Sequence, residues 1–210
     1  MKKPYLIINM RFIYSMNSVI FSPHTDDAIF SLGDYIIDNV DFTIASAFAG
    51  IPTDTLGYNK HTLLRKEHES ACNLIDAQVI NGDLLDDVYG KQDEKLLVEW
   101  VSDVIINFDN IYIPLGIHHP DHIFLSDVLF NLISKFNKTY FIYAELPYKI
   151  LYPELYEIRL GDFKSKLNLQ NILVNFTKKK TKSVEEYKSQ IEYNLIEKLI
   201  VQEEVWRVIN

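Results

Sequence analysis

Apolar residues follow two different spacings along the first two thirds of the chain. Between residues 17 and 150, short runs rich in β-branched and aromatic residues alternate with longer segments in which apolar residues recur every three or four positions, as at Ile29, Leu32 and Ile36. This alternation is typical of βαβ units, in which helices connect parallel strands. The pattern therefore predicts an α/β fold: a Rossmann-like, mainly parallel sheet with helices on both faces, in three α/β/α layers.

The same pattern predicts where the individual strands and helices begin and end. A loop with a proline and a glycine separates the second predicted strand from the second predicted helix at residues 50–57. Every predicted strand except the last is followed by a predicted helix. Strands are predicted over residues 18–21, 42–49, 79–80, 111–115 and 139–145, and helices over 26–39, 61–75, 93–108 and 120–136.

The pattern becomes less regular after Pro147. A strand is predicted over residues 172–176 and a helix over 184–199. The lysines at 178–180 and 182 form a basic cluster between them, which we expect to be a solvated loop.

Length and composition place the chain among folded globular proteins. It has 210 residues, 48% of them hydrophobic, and only 7 glycines and 7 prolines, which argues against disorder. No low-complexity tract or linker divides it. We therefore expect a single domain over residues 1–210, with a core of about 17–150 and a C-terminal appendage of about 151–210 that packs on the main sheet.

Charge and cysteine content indicate which classes of partner and which cellular location to expect. A net charge of −8 is unlike the basic surface with which proteins contact nucleic-acid phosphates, so we expect no nucleic-acid partner. The single cysteine, Cys72, cannot form an internal disulfide, and we expect it to be a small buried side chain. No apolar run is long enough for a membrane span or a targeting segment. The expectation is a soluble, cytoplasmic protein.

Two segments rich in histidine and aspartate lie where a predicted strand meets a predicted helix. They are residues 22–27, Ser-Pro-His-Thr-Asp-Asp, and residues 116–122, Gly-Ile-His-His-Pro-Asp-His. Ligands bind beyond the carboxyl ends of the strands in an open parallel sheet, so both segments are expected to face one site. Each segment alone would also fit an ordinary helix start, whose acidic residues complement the helix dipole. Their occurrence together favours a functional site.

The spacing within these segments suits a divalent metal. His24 and Asp27 are three residues apart, as are His119 and His122, so each pair shares one face of a first helical turn. A catalytic zinc site takes three protein ligands and leaves a fourth position for water. Two histidines and one aspartate would meet that need. Spacing alone does not decide which residues these are, or whether His118 or His119 points inward.

Both segments resemble the motifs of a known family. Residues 24–27, His-Thr-Asp-Asp, followed by Gly33, resemble the His-Pro-Asp-Asp motif of the PIG-L/LmbE-like zinc-dependent N-deacetylases, and residues 119–122, His-Pro-Asp-His, resemble their second motif. The similarity spans roughly residues 18–190. Weaker agreement covers Arg-Lys-Glu at 65–67 with Ala71, Leu-Leu-Asp at 84–86, Pro-Leu-Gly at 114–116, Glu-Leu-Pro-Tyr at 145–148 and Tyr-Lys-Ser-Gln at 187–190.

The resemblance implies a role for each polar motif residue. Asp26 would be the general base, and His119, as an imidazolium, would stabilise the oxyanion. Asp121 would hold His119 in orientation. The cofactor would be Zn²⁺ or another divalent metal such as Fe²⁺. The implied metal ligands are His24, Asp27 and His122.

The sequence departs from the family motif at two positions. Thr25 replaces a proline, a change that a turn should tolerate, and Ala28 replaces the glutamate that commonly follows the two aspartates. Because that glutamate is not a metal ligand, its loss bears on the substrate class and not on activity.

Residues outside the motifs are candidates for substrate contacts. Arg65 and Glu67 fit this role and a surface ion pair equally well, and Tyr148 fits packing as well as a sugar contact. His61 and His68 are expected at the surface. The candidate substrate-binding residues are Arg65, Glu67, Asp86, Glu145 and Tyr148.

The resemblance implies an enzyme: a zinc-dependent hydrolase that removes an N-acyl group, expected to be N-acetyl, from an amino sugar or a small molecule containing one, through a zinc-activated water. Two alternatives stay open. One is a metal-dependent hydrolase of another amide or ester, and the other is a non-catalytic module of the same fold that binds a metal or ligand. Intact acid–base residues beside the ligands argue against the second.

Overall fold

A computed structural model of the protein describes residues 17–39, 41–191 and 193–209. None of the described helices is long and apolar enough to cross a membrane. The strands are β1 (Ser18–Ser22), β2 (Phe42–Ser46), β3 (Gln78–Asn81), β4 (Asn110–Pro114), β5 (Thr139–Tyr143), β6 (Asn168–Ile172) and β7 (Val205–Ile209). The helices are α1 (Asp27–Asp38), α2 (Thr55–Asn73), α3 (Glu94–Ile105), α4 (Pro120–Leu132), α5 (Tyr148–Leu151), α6 (Pro153–Lys166), α7 (Thr181–Val184) and α8 (Tyr193–Leu199).

These strands form one sheet in the order β3-β2-β1-β4-β5-β7-β6. Neighbours among β1 to β5 pair in parallel, whereas β7 runs antiparallel to both β5 and β6. The chain winds outward from β1 to β3 and then returns to the other side of β1 as β4. That reversal is a topological switch point, where the strand ends leave a crevice. The predicted α/β fold with a mainly parallel sheet is confirmed.

Apolar clusters on the two faces of the sheet hold the helices against it. Along β1, Val19 and Phe21 belong to the cluster shared with α3, α4 and α6, while Ile20 belongs to the cluster shared with α1 and α2. This alternation is the one that a pleated strand covered on both faces requires. The three-layer arrangement follows from it. Cys72 lies fully buried in the second cluster, as expected.

The C-terminal part differs from its prediction. The strand predicted over residues 172–176 lies earlier in the chain, as β6, and the single helix predicted over 184–199 is instead the short α7 and α8 with turns between them. The helix is interrupted because the backbone N–H of Ser189 donates to Glu67 Oε1 at 2.9 Å instead of to a helical carbonyl. The sequence pattern does not predict α6 or β7. This region therefore adds two strands to the sheet, which goes beyond packing on it.

The basic cluster at 178–180 and 182 is not wholly solvated. Lys180 is fully buried, and its Nζ lies 2.9 Å from Glu203 Oε1 and donates to the Phe30 carbonyl at 2.6 Å. A Cβ atom at Gly33 would come within 2.5 Å of the Lys180 Cβ, so only glycine allows this approach. The expectation of a solvated loop is wrong for Lys180, because its charge is paired inside the protein.

Candidate metal centre

The two motif segments lie side by side at the switch point, where β1 leads into α1 and β4 leads into α4. In the first turn, Ser22 Oγ donates to the His24 carbonyl at 2.6 Å and accepts the N–H of Ala28 at 3.0 Å. In the second, Gly116 has a positive φ of 82°, and a Cβ atom there would lie 2.7 Å from the Ser126 Cβ. Both turns are therefore fixed by local contacts before any ligand binds.

His24, Asp27 and His122 meet around one carboxylate oxygen. Asp27 Oδ2 lies 3.3 Å from His24 Nδ1 and 3.1 Å from His122 Nε2, and it accepts the backbone N–H of His24 at 2.8 Å. The side chain of His122 is 0% exposed and that of Asp27 is 5% exposed. Two imidazoles and a carboxylate are thus brought together at the buried end of the site.

The carboxylate of Glu145 contacts the His122 ring at its Nδ1. Its Oε1 lies 3.3 Å from His122 Nδ1 and accepts the backbone N–H groups of Gly116 and Ile117 at 2.8 and 3.1 Å. A carboxylate that binds one ring nitrogen orients the ring and leaves the other nitrogen, Nε2, for a ligand. Glu145 is fully buried, so the expected substrate contact does not fit its position.

Asp121 contacts a different histidine from the one expected. Its Oδ2 lies 3.0 Å from His24 Nε2 and accepts the backbone N–H of Asp87, and its Oδ1 accepts the Gln92 side-chain amide at 2.8 Å. The carboxylate therefore orients His24. The link from Asp121 to His119 is its backbone N–H, which donates to His119 Nδ1 at 3.3 Å.

His119 lies at the cluster and His118 does not. His119 is the residue preceding α4, and its ring centroid is 4.9 Å from that of His24. His118 is exposed and stacks on Tyr152 at 3.6 Å between ring centroids. Since His119 Nδ1 accepts a hydrogen bond, its proton is on Nε2. Burial and the neighbouring histidine charges lower the pKa of His119.

The two adjacent aspartates have opposite protonation behaviour. Burial opposes the charge of Asp27, yet the positive charges of His122 and His24 hold its pKa well below its usual range. Burial opposes the charge of His122 as well, but Asp27 raises the pKa of His122 to about 9. Burial and the Asp27 charge raise the pKa of Asp26 to about 7. Asp27 therefore stays ionised, while Asp26 exchanges a proton near neutral pH.

The side chains present fit a divalent metal. The His122 Nε2 contact to Asp27 lacks hydrogen-bond geometry, so this buried nitrogen has no hydrogen-bond partner among the described residues. Nitrogen and carboxylate donors suit Zn²⁺. Three groups of donor residues have ligand atoms within 4.8 Å of one another: His24 with His119 and His122, His24 with Asp86 and Asp121, and Asp87 with His119 and Asp121. The first group contains both histidines of the implied ligand set, His24 and His122, and none of the three contains Asp27.

A cavity of about 170 Å³ opens beside the cluster. Three of the five candidate substrate-binding residues line it, namely Arg65, Asp86 and Tyr148, and Asp26 lines it as well. Glu67 does not, because its carboxylate accepts the N–H and hydroxyl of Ser189 at 2.9 and 2.6 Å. A larger cavity, about 820 Å³, lies at the opposite ends of β2 and β3 and contains none of the candidate residues.

Sequence reasoning misplaced two histidines of α2. Both His61 and His68 are buried, not at the surface. His68 Nδ1 lies 3.0 Å from the Tyr187 hydroxyl, which donates to the Thr25 carbonyl at 2.9 Å, so His68 supports the first motif from outside every donor group. His61 lines the cavity. The signal that could have shown this is its spacing of four residues from Arg65 on one helix face.

Solved structures with the same arrangement of strands and helices include several deacetylases. Dbv21, the A40926 pseudoaglycone deacetylase, superposes with a TM-score of 0.70 and 19% identity, over 93% of this chain and 98% of that one. The zinc-inhibited form of the teicoplanin deacetylase Orf2 gives 0.66 and 22%, over 92% and 98%. N,N'-diacetylchitobiose deacetylase from Pyrococcus horikoshii gives 0.57 and 16%, over 87% and 73%. This chain has the fold of these deacetylases.

The same fold also carries a different reaction. GalB, the 4-carboxy-2-hydroxymuconate hydratase from Pseudomonas putida, superposes with a TM-score of 0.63 and 13% identity, over 93% of this chain and 97% of that one. Neither a protein-family model nor a curated protein matches the sequence of this chain. The fold alone therefore does not define the reaction, which depends on the side chains at the site.

Proposed function

We propose that this protein is a metal-dependent N-deacetylase of the PIG-L/LmbE-like family, which hydrolyses an N-acyl amide, expected to be N-acetyl. The proposal is based on the contact of His24 and His122 with the Asp27 carboxylate at the switch point, beside a cavity that Asp26 lines. The deacetylases that share the fold support it.

His24, Asp27 and His122 would hold the metal. When bound, a divalent ion supplies Lewis acidity to the amide carbonyl and lowers the pKa of water from 15.7 to about 7. Asp121 would orient His24 and Glu145 would orient His122, because each carboxylate contacts one ring nitrogen of its histidine and leaves the other available to an ion. We propose Zn²⁺ for this set, with Fe²⁺ as the alternative, since both bind imidazole and carboxylate.

Asp26 would transfer the proton. It precedes α1, its side chain makes no capping hydrogen bond, and it lines the cavity, so its carboxylate is available to a substrate. As general base it would take the proton of the attacking water, and as general acid it would deliver that proton to the departing amine. Ionised Asp27 next to it raises the pKa of Asp26 and so favours uptake of the proton from the attacking water.

His119 would stabilise the charge that develops on the former carbonyl oxygen. Its proton is on Nε2, and the backbone N–H of Asp121 fixes the ring through Nδ1. An N–H donor at this position is expected to contribute about 2.7–4 kcal/mol to transition-state stabilisation. This is the oxyanion-stabilising role that the resemblance implies for His119.

The expected substrate is an N-acylated small molecule, in particular an amino sugar or a compound that contains one. A cavity of about 170 Å³ is smaller than the roughly 300–1,000 Å³ of typical ligand pockets, so it would enclose the reacting end of a larger substrate. The deacetylases that share the fold include enzymes for A40926 pseudoaglycone and N,N'-diacetylchitobiose and one solved in complex with teicoplanin. We also propose a cytoplasmic location, which the lone buried Cys72 fits.

Acetate release tests this function. Metal-loaded protein is incubated with a panel of N-acetylated amino sugars and with acetate esters, then treated with chelator and reloaded with one equivalent of zinc; the equimolar dose matters because Orf2 was solved in a zinc-inhibited form. We expect acetate from the amides, loss with chelator and recovery with zinc. Turnover of esters alone would favour the alternative hydrolase, and binding without turnover would favour a non-catalytic module.

A further inference from the structure

One wall of the site cavity belongs to α2 and carries positive charge. Lys60, His61, Leu64 and Arg65 all line the cavity. Spacings of four residues place Lys60 with Leu64 and His61 with Arg65 on adjoining rows of one helix face. The other charged groups that line the cavity are the motif residues and Asp86. The cationic part of the lining therefore comes from α2 and is separate from the metal donors.

His61 is a buried imidazole with an unused nitrogen. The residue is 5% exposed, and its ring packs edge-on against Tyr89 with 5.5 Å between centroids. Its Nε2 has no hydrogen-bond partner in the described part of the chain. A buried polar atom without a partner is costly, and a ligand oxygen that accepts its hydrogen would remove that cost. Burial and the charge of Lys60 lower the pKa of His61, so the neutral ring can donate from Nε2.

The two cations on this wall differ in how firmly they are held. Arg65 Nε donates to the Ala49 carbonyl at 2.7 Å, and Nη2 donates to Gly82 and Asp83 at 3.2 and 3.3 Å. These bonds fix the guanidinium, whose Nη1 makes no hydrogen bond among the described residues. Lys60 is exposed and has no ion-pair partner among the described residues. Both cations thus have donors left for a ligand.

We propose that Lys60, His61 and Arg65 form an anion subsite that binds a carboxylate or phosphate group of the substrate. The inference rests on the proposed function and narrows the substrate to an N-acylated amino sugar that carries such an anion. Carboxylates and phosphates share the oxygen acceptors that pair with ammonium, guanidinium and imidazole N–H donors. A fixed Arg65 and a buried His61 make the subsite preorganised, so little ordering is needed on binding.

Binding and turnover of matched probes test the subsite. Calorimetry on the metal-loaded full chain compares glucosamine, glucosamine 6-phosphate and muramic acid, and kinetics compare kcat/KM for their N-acetyl forms. We expect one anionic probe to bind about tenfold more tightly than glucosamine. Lys60→Gln should reduce that preference about fivefold, mainly through KM. Lys66→Gln, on the exposed face of the same helix, should leave it within about twofold.

The variant His61→Phe keeps a ring against Tyr89 and removes Nε2, and its melting temperature shows whether it folds. We expect it to lose about three- to tenfold in affinity for the anionic probe. Equal binding of all three probes, or a preference that Lys60→Gln and His61→Phe both retain, would overturn the subsite. An anion preference without acetate release would instead count against the proposed function alone, and acetate release without a preference would count against the subsite alone.

Discussion

Replacing Lys180 with methionine removes one partner of a buried ion pair that connects the C-terminal part to α1. The Lys180 Nζ lies 2.9 Å from Glu203 Oε1, and both side chains are at most 1% exposed. Glu203 also accepts the backbone N–H groups of Asp34 and Tyr35 at 2.9 and 2.8 Å. Lys180→Met keeps the apolar stem and leaves the Glu203 carboxylate with those two donors alone.

The magnitude follows from that geometry. Removing one partner of a buried ion pair costs about 3–5 kcal/mol, and the two remaining N–H donors to Glu203 favour the lower end, about 3 kcal/mol. For a chain of this length, 1 kcal/mol shifts the melting temperature by about 2–4 °C, so a drop of about 6–12 °C is expected. Burial raises the pKa of Glu203. In Lys180→Met the unpaired Glu203 carboxyl is therefore protonated, and loses its charge, as the pH is lowered. The deficit should therefore be smaller at low pH than at neutral pH.

Urea unfolding followed by circular dichroism measures this deficit. The matched control is Lys179→Met, because Lys179 is half exposed and pairs with Asp38 at the surface. That pair is expected to contribute at most about 1 kcal/mol. If Lys180→Met were no less stable than Lys179→Met, the reasoning about the buried pair would be refuted.

Three further predictions concern the site and its support. Asp26→Asn should abolish acetate release while about one metal ion per chain remains bound; near-normal turnover would exclude Asp26 as the base. Glu145→Gln should weaken metal affinity about 10–100-fold, measured by competition with a chelator, and unchanged affinity would contradict its support of His122. Asp34 accepts hydrogen bonds from three backbone N–H groups, and these bonds lower its pKa in the folded protein. Its contribution to the free energy of unfolding is therefore full above about pH 3.9, the unfolded pKa, and is lost as the pH falls through the lower pKa of the folded state. Plots of unfolding free energy against pH for wild type and Asp34→Asn should converge in acid, and parallel plots would contradict this.

The position of the site could be predicted from the sequence because it depends on local order. Regular βαβ units place both motif segments at the carboxyl ends of parallel strands, and the chain's reversal brings β1 and β4 together. The contacts among His24, Asp27 and His122 follow from residues three positions apart at two adjoining helix starts. Inward placement of His119 agrees with the resemblance, since His118 is exposed.

The structural features that the sequence did not predict depend on contacts between residues far apart in the chain. β7 is a strand because β5 and β6 flank it, and five residues carry little signal for such pairing by themselves. Lys180 is buried because Glu203 and the Phe30 carbonyl surround its charge. The contact of Asp121 with His24 joins residues 97 positions apart. Such pairings leave no periodic trace in one sequence.

We propose that His24, Asp27 and His122 bind one divalent metal ion, and anomalous diffraction at the zinc edge, from crystals loaded with one equivalent of zinc, can locate that ion. We expect a single strong peak within coordination distance of the Asp27 carboxylate and of one nitrogen each of His24 and His122. A peak held by Asp87, His119 and Asp121, or no peak near these side chains, would contradict this assignment.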